Sequence, residues 1–281
     1  MSDEAWIRLS IFIGVLLLMA AWELAVPQRK LIQGYRRWPA NLGIVLLNGL
    51  MVRLLLPAGA AGAALWASAQ GWGLLNLLEL PYWTTILIAV ILLDLVIYLQ
   101  HLLFHAVPLL WRLHMVHHAD RDIDVTTGLR FHPIEILISM LIKMATVVLI
   151  GAPAMAVVIF EVILNGMAMF NHSNIRLPKT WDVVIRTLLV TPDMHRVHHS
   201  VIKRETNSNY GFNLSIWDRL FGTYIAQPEK GHIDMTIGLH QFQSQPTGRL
   251  LWMLRLPFVG EIGQYPMMKG KQSSVDGDGN E

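Results

Sequence analysis

The chain contains no cysteine. This absence excludes disulfide bonds, iron–sulfur clusters, thiolate zinc sites and a cysteine nucleophile. Any metal must therefore be bound by histidine, aspartate, glutamate or asparagine. Charged residues are also scarce, because they make up 15% of the 281 residues, whereas soluble domains carry about 25%. The net charge of +2 gives no indication of a nucleic-acid partner.

Apolar residues take the place of the missing charges. They account for 53% of the chain, and the mean hydropathy is +0.43. They fall in blocks rather than at the period of an amphipathic helix or strand. Such blocks predict an integral membrane protein of one domain.

Three apolar blocks precede the first histidines. They cover residues 7–26, 41–67 and 82–99, and Arg53 and Pro57 interrupt the second block. About 20 apolar residues cross a bilayer, so each block is predicted to span it. No A-x-A-like cleavage site follows the first block, which is therefore predicted to be an anchor rather than a signal peptide.

Basic residues are divided unequally between the loops. Residues 68–81 contain no Lys or Arg, whereas residues 27–40 contain Arg29, Lys30, Arg36 and Arg37. The positive-inside rule places the basic loop in the cytosol. The N-terminus is then predicted outside, and the third block reaches the cytosolic face where the histidines begin.

A helical hairpin is predicted next. Residues 134–150 and 154–170 are apolar runs of 17 residues each, so the hairpin either spans barely or is re-entrant. More polar sequence follows from Ile175. The predicted fold is therefore all-α and integral to the membrane, with three spanning helices and the hairpin capped by a cytosolic, histidine-rich helical domain. The C-terminus is predicted inside, after a polar and disordered tail over residues 267–281.

Two opposite charges lie inside the hairpin. Lys143 and Glu161 are each nine residues from Ala152 and hence at equal depth. Because unpaired charges are costly in a membrane, the two are predicted to pair. The alternative is that Lys143 extends its ammonium group to the membrane surface.

Histidines dominate the polar residues near the membrane. The pattern H-x-x-H-H occurs twice, at residues 114–118 and 195–199, and His101-x-x-x-His105 stands upstream. Positions i, i+3 and i+4 share one helix face. Each motif therefore predicts a patch of imidazoles, which are favoured ligands of Zn, Cu, Fe and Ni.

Two apolar helices are predicted to carry a polar stripe that ends in histidine. One helix face of the third block carries four polar residues at offsets of 0, 4, 7 and 11: Asp94, Tyr98, His101 and His105. In the hairpin, one helix face likewise carries, at offsets of 0, 4 and 11, Glu161, Asn165 and His172. Both stripes are expected to reach the same cytosolic surface.

Nine histidines are therefore predicted to bind metal: His101, His105, His114, His117, His118, His172, His195, His198 and His199. One metal takes about four to six ligands, so nine imidazoles indicate two ions. Asp94 and Asp193 are candidate acceptors for N–H groups of these ligands. Asp94 could instead pair with Arg53. His132 is predicted to cap or orient the entrance of the hairpin, with direct metal binding as the alternative, and His232 and His240 are predicted to be surface or structural residues.

The ordered set of motifs resembles the fatty acid hydroxylase and sterol desaturase superfamily. Beside the three histidine motifs, the similarity rests on segments 94–98, 130–135, 171–174, 209–211 and 217–224. It covers roughly residues 87–224. By this resemblance, the histidines at matching positions are expected to bind iron, and residues 82–226 to form the catalytic domain. A two-helix membrane region, 1–81, and a cytosolic extension, 227–266, are expected to flank it.

The resemblance implies an O2-dependent di-iron enzyme that oxidises a C–H bond of a membrane lipid. Hydroxylation, desaturation and ether cleavage are all known outcomes in the family. Two iron ions are the implied cofactors, although imidazole also suits Zn. The chain has no His-Pro-Gly-Gly motif of a fused haem domain, so a separate electron donor is expected, ferredoxin or a cytochrome b5-like protein with its reductase. A bacterial inner membrane is the expected location.

Basic residues are candidates for docking an acidic donor. They are Arg196, Lys203, Arg204, Arg219 and Lys230. Ordinary positive-inside charge beside lipid headgroups explains them equally well.

Three other functions compete with this hypothesis. A metal-dependent lipid hydrolase would keep carboxylates in its motifs, and these motifs have almost none. A metal transporter or sensor would place polar ligands near the membrane midplane, whereas these histidines cluster at one face. A catalytically silent, lipid-binding member of the family is disfavoured by the intact motifs. The sequence does not distinguish an acyl chain, a sterol-like ring, an alkylglycerol or a sphingoid base as substrate.

Overall fold

The computed structural model describes residues 3–268. Within this range the fold is all-helical, and β pairing is limited to three isolated bridges. The α-helices are α1 Asp3–Ala25, α2 Trp38–Leu55, α3 Gly59–Ala69, α4 Tyr82–Ala106, α5 Pro108–His118, α6 Pro133–Ile150, α7 Ala154–His172, α8 Lys179–Ile185, α9 Pro192–His198, α10 Lys203–Thr206, α11 Ile216–Leu220, α12 Gly231–Asp234 and α13 Leu250–Val259.

Among the described residues, five segments are long and apolar enough to cross a membrane. They are Trp6–Ala25, Gly34–Leu77, Tyr82–Ala106, Pro133–Ile150 and Ala154–His172. The predicted multi-pass membrane protein is thus confirmed by the length and composition of its helices. The hairpin helices α6 and α7 have 18 and 19 residues, which at 1.5 Å per residue gives each about 27 Å. This length favours the spanning form of the hairpin over the re-entrant one.

The second apolar block is not one helix, contrary to the sequence prediction. It breaks between Leu55 and Gly59 into α2 and α3. Pro57 lies in this break, where its missing N–H and its ring oppose a continuous helix. Helix α3 has 11 residues, too few to span alone. Its buried alanines recur at Ala60, Ala64 and Ala67, and this small-residue face packs closely on α6 and α7.

The predicted ion pair inside the hairpin is confirmed. The Lys143 ammonium lies 2.9 Å from Oε1 of Glu161. Arg8 of α1 pairs with the second oxygen of the same carboxylate. Glu161 therefore joins three helices through two cations.

The turn between α6 and α7 depends on two glycines. Gly151 ends α6 in the left-handed region, with φ of 69°. Gly73 has φ of 100°, and a Cβ there would lie 2.1 Å from the backbone nitrogen of Gly151. Glycine at both positions permits this close approach of two chain segments.

The polar stripe of α4 faces inward as predicted. Asp94, Tyr98, His101 and His105 are all at most 5% exposed. Val107, which precedes Pro108, has extended backbone angles and ends α4, as expected for a residue before proline. The chain then turns back as α5, which packs on α4.

The C-terminal region packs on the histidine-bearing helices rather than extending away from them. Helix α13 joins α5 in an apolar core that contains Trp111, Met115, Met253 and Leu256. The predicted tail begins too early, because the backbone N–H groups of Met267 and Met268 donate to carbonyls at the end of α4. Residues 269–281 of that predicted tail lie outside the described residues.

Candidate metal centre

The nine predicted histidines come together as two adjoining groups. The five-histidine cluster consists of His101, His105, His114, His118 and His198. The four-histidine cluster consists of His117, His172, His195 and His199. Within each cluster, one ring nitrogen from every member lies within 4.8 Å of the others, and all nine side chains are buried.

Each H-x-x-H-H motif contributes to both clusters. Helix α5 directs His114 and His118 into the five-histidine cluster and His117 into the other. At the end of α9 the division is reversed, because His198 joins the five-histidine cluster while His195 and His199 join the other. Adjacent histidines thus face different clusters, and the two motifs hold the clusters side by side.

Hydrogen bonds fix the tautomer of five histidines. Nδ1 faces a carbonyl oxygen in His101, where Tyr210 O is 2.8 Å away, and in His198, where Ser208 O is 2.7 Å away. Nδ1 also faces a side-chain oxygen in His105 and His114 and a backbone oxygen in His172. Since these oxygens accept, Nδ1 carries the proton, and Nε2 is left with a free lone pair.

The Nε2 atoms of neighbouring histidines face one another in both clusters. The Nε2 atoms of His101 and His114 are 3.1 Å apart, as are those of His105 and His118. In the four-histidine cluster, Nε2 of His172 is 3.1 Å from that of His117 and 3.0 Å from that of His195. In the His101–His114 pair both Nδ1 atoms keep the proton, so the two Nε2 atoms cannot hydrogen-bond to each other, and a shared cation would make their contact favourable.

Burial keeps the imidazoles neutral. It lowers the pKa of His114 to about 3. Burial also lowers the pKa of His117 and His199 well below the usual value, helped by the neighbouring imidazoles. Nε2 of His198 and both ring nitrogens of His199 have no hydrogen-bond partner among the described residues. Neutral, buried and unpartnered nitrogens are the donor set that a transition-metal ion requires, so these residues fit the predicted ions.

Several residues that orient the ligands were not predicted from sequence. Glu135 accepts from Nδ1 of His114 at 2.6 Å, and Asn207 faces Nδ1 of His105 at 3.1 Å. Asp218 accepts from the backbone N–H groups of Tyr210 and Gly211, which positions the carbonyl that binds His101. The sequence signal that could have identified Glu135 is its position as a carboxylate at the start of an otherwise apolar helix.

The two carboxylates predicted to accept from ligand N–H groups contact other residues instead. Oδ2 of Asp94 accepts from Leu214 N and from Trp217 Nε1, so it contacts neither a histidine ligand nor Arg53. Asp193 pairs with Arg196 and lies 3.7 Å from His232. These carboxylates hold the surrounding loops rather than ligand N–H groups.

His132 caps helix α6. Its Nδ1 accepts from the backbone N–H of Ile134 at 3.2 Å. The predicted capping role is therefore confirmed, and His132 belongs to neither histidine cluster.

Buried charges fix the loop that follows α5. Arg37 lies 2.6 Å from Asp120 and also pairs with Asp124. Glu23 of α1 accepts from the backbone N–H groups of Val125 and Asn174. The N-terminal helices thus anchor the segments that leave α5 and α7, although they carry no histidine of the centre.

A cavity of about 660 Å³ adjoins the clusters among the membrane helices. Phe131 and Phe212 line its end near the histidines. The Phe131 ring stacks on His117 with centroids 4.5 Å apart, and the Phe212 centroid lies 6.1 Å from that of His101. A molecule at this end of the cavity would therefore lie against rings that each adjoin a histidine of one cluster.

The described residues thus define an all-helical protein with segments long and apolar enough to span a membrane and with two buried histidine clusters near a cavity. Residues 86–223 match the family model described as fatty acid hydroxylase. Residues 86–223 therefore belong to the fatty acid hydroxylase family, as the histidine motifs predict.

Curated relatives support the same family. The ornithine lipid hydroxylase OlsE of Rhizobium tropici is 33% identical over 141 residues, which are 50% of this chain and 42% of that protein. Alkylglycerol monooxygenase of Xenopus tropicalis is 31% identical over 179 residues, which are 61% of this chain and 38% of that protein. The human alkylglycerol monooxygenase is 27% identical over 151 residues, 52% of this chain and 32% of that protein. The chain thus spans about two-fifths of the length of the first two relatives, and no solved structure matches it.

Proposed function

We propose that this protein oxidises a C–H bond of a membrane lipid with O2, by hydroxylation, desaturation or ether cleavage. The observation that carries the proposal is the pairing of two neutral histidine clusters with a cavity among membrane helices. Relatives named as an ornithine lipid hydroxylase and alkylglycerol monooxygenases support a lipid as substrate.

The proposed cofactor is a pair of iron ions, one in each cluster. When bound, iron would supply the redox chemistry that activates O2. Zn is the alternative ion because imidazole binds it almost as readily. Glu135 would keep the proton of His114 on Nδ1, so that Nε2 faces the ion. The cavity walls would exclude water from the reacting C–H bond.

Two electrons must reach the centre from a separate protein in this proposal. Lys203, Arg204 and Lys230 are exposed and remain candidates for docking an acidic donor. Arg219 is exposed as well, but its guanidinium lies over the Tyr224 ring. Arg196 is fully buried, so its predicted place on a docking surface is wrong. The proposed donor is a ferredoxin or a cytochrome b5-like protein with its reductase.

The proposed orientation puts the histidine clusters on the cytosolic side of a bacterial inner membrane. It rests on the basic loop before α2. Arg36 of that loop is exposed, whereas Arg37 is buried. A cysteine introduced at Arg36 should react with an impermeant thiol reagent from the cytosol only, and labelling from the outside would overturn the orientation.

Metal content is the deciding test of the proposed function. Protein purified without oxygen should contain close to two irons per chain. His198→Ala should lose iron and turnover of a lipid substrate while still inserting into the membrane. His240→Ala is the matched control because His240 is exposed and outside both clusters. Iron content unchanged by His198→Ala would refute the assignment of the clusters.

A further inference from the structure

The cavity continues away from the histidines toward a group of charged residues. Beyond the end lined by Phe131 and Glu135, its walls include Lys143, Glu161 and Arg53. Lys143 is eight residues after Glu135 on α6, which places it about 12 Å further along the helix axis. The cavity therefore joins the metal centre to a polar end inside the membrane region.

The polar end contains more positive than negative groups. Of the described residues that line the cavity, Arg8, Arg53 and Lys143 are basic, while Glu135 and Glu161 are acidic. Glu135 is committed to His114 at the other end. Glu161 already pairs with both Lys143 and Arg8. No acidic residue that lines the cavity in the described range is left for Arg53.

Arg53 makes no hydrogen bond or ion pair with any described residue. It lies in the last turn of α2, at the far end from Asn41, whose side chain donates to Thr126 beside the histidine-bearing loop. Twelve residues of helix separate Asn41 from Arg53, a rise of about 18 Å. This depth lies past the midplane of a hydrocarbon core about 30 Å thick, on the side away from the metal centre. An arginine that lines the cavity at that level suits a phosphate or carboxylate, which its planar fork binds through two hydrogen bonds.

We propose that the cavity binds an anionic amphiphile, with its phosphate or carboxylate on Arg53 and its aliphatic chain extending to the histidine clusters. Arg8 and Lys143 lie between these ends and would add positive potential. The inference rests on the proposed lipid oxidation and specifies the substrate class. Three chain bonds span at most about 3.6 Å, so the distance of about 18 Å estimated from helix rise for Arg53 places the oxidised carbon about 15 bonds from the anionic group.

Binding of defined amphiphiles to full-length protein in a neutral detergent tests this proposal. The probes are dodecyl phosphate, laurate and dodecanol, which share a chain and differ in the headgroup. Wild-type protein should bind the phosphate, the carboxylate or both at least about tenfold more tightly than the alcohol, as expected for hydrogen bonds to a charged group. The comparison of the two anions identifies which headgroup the site prefers. Equal binding of dodecanol would overturn the proposal.

Variants locate the binding group. Arg53→Gln should weaken binding of the anionic probe about tenfold or more, whereas Arg53→Lys should retain most of it. Arg36→Gln is the matched control, because Arg36 is an exposed arginine before the other end of the same helix. Unchanged binding by Arg53→Gln would show that Arg53 does not hold the anionic group, which overturns the proposal.

Iron content separates this inference from the proposed function. Arg53→Gln should load iron like the wild type, because Arg53 contacts no histidine of either cluster. Anion-selective binding by a chain that holds no iron would refute the lipid oxidation but leave the binding site. Iron-loaded protein without anion selectivity would refute the anion-binding site but leave the lipid oxidation.

Discussion

A buried histidine can bind a metal only if one ring nitrogen keeps a free lone pair, and here acceptor oxygens at Nδ1 provide this for five of nine. Some of these acceptors are far away in sequence. Tyr210 follows His101 by 109 residues, and Asn207 follows His105 by 102. The ligands could be predicted because they repeat at helical spacing. Their acceptors could not, because backbone carbonyls and distant loop residues leave no local pattern.

Glu135 provides a test at this scale. Glu135→Gln removes the charge but keeps an oxygen that can accept from His114, so metal affinity or activity should fall about 10- to 100-fold. Iron titration of the metal-free protein measures the change. Asp94→Asn is the control and should leave iron affinity unchanged, because Asp94 contacts Trp217 and Leu214 rather than a ligand. An equal loss in both variants would show that Glu135 acts only through the stability of the fold.

The short helices α5 and α9 each supply histidines to both clusters rather than to one. Since a residue four positions on is rotated relative to one three positions on, His117 and His118 of α5 point to different clusters. The sequence predicted the patch and a pair of ions. It did not predict which histidine joins which cluster, because that depends on how α5 and α9 pack against α4 and α7.

Elements without histidine show where sequence patterns were insufficient. Pro57 indicates a break in the second apolar block. Hydropathy does not show this break, because Gly34–Leu77 still reads as one continuous apolar span. Arg37 reads as a loop cation in the sequence, but it is buried against Asp120 and Asp124. Composition gives no sign of long-range ion pairs of this kind. The pairing of Lys143 with Glu161 could be predicted because the two charges lie at equal depth in the hairpin.

Neutralising Lys143 and neutralising Glu161 in the hairpin should affect the yield of folded protein unequally. Lys143→Met leaves Glu161 paired with Arg8, whereas Glu161→Gln removes the carboxylate shared by Lys143 and Arg8. Glu161→Gln leaves the Lys143 ammonium without its carboxylate, and a charge inside a membrane costs about 3 kcal/mol on insertion scales. Glu161→Gln should therefore lower the yield of folded, monodisperse protein more than Lys143→Met, and the double variant should recover part of the loss. The reverse order of the single variants would contradict the shared carboxylate.

Across the whole molecule, the segments that lack the histidine motifs complete the centre. Helix α1 contributes Glu23 to the loops after α5 and α7. The C-terminal region contributes α13 to the core beneath α5, and Trp111 donates to the carbonyl of Ile262 at 2.9 Å. The family similarity covers residues 86–223, but the histidines are held in place by chain on both sides of that range.

The same buried histidines make the metal-free protein sensitive to acid. Histidine in an unfolded chain has a pKa of about 6.5, whereas burial lowers the pKa of His114 to about 3 and those of His118 and His195 well below the usual value. Below about pH 6.5 the unfolded chain binds protons that the folded protein does not, so stability falls as pH falls toward 3. The thermal midpoint of metal-free protein in detergent should therefore decrease between about pH 7 and pH 5. Exposed His240 supplies the control, since His240→Ala should keep this dependence while His114→Asn weakens it; a midpoint independent of pH over this range would mean that the clusters are not buried and neutral in the folded protein.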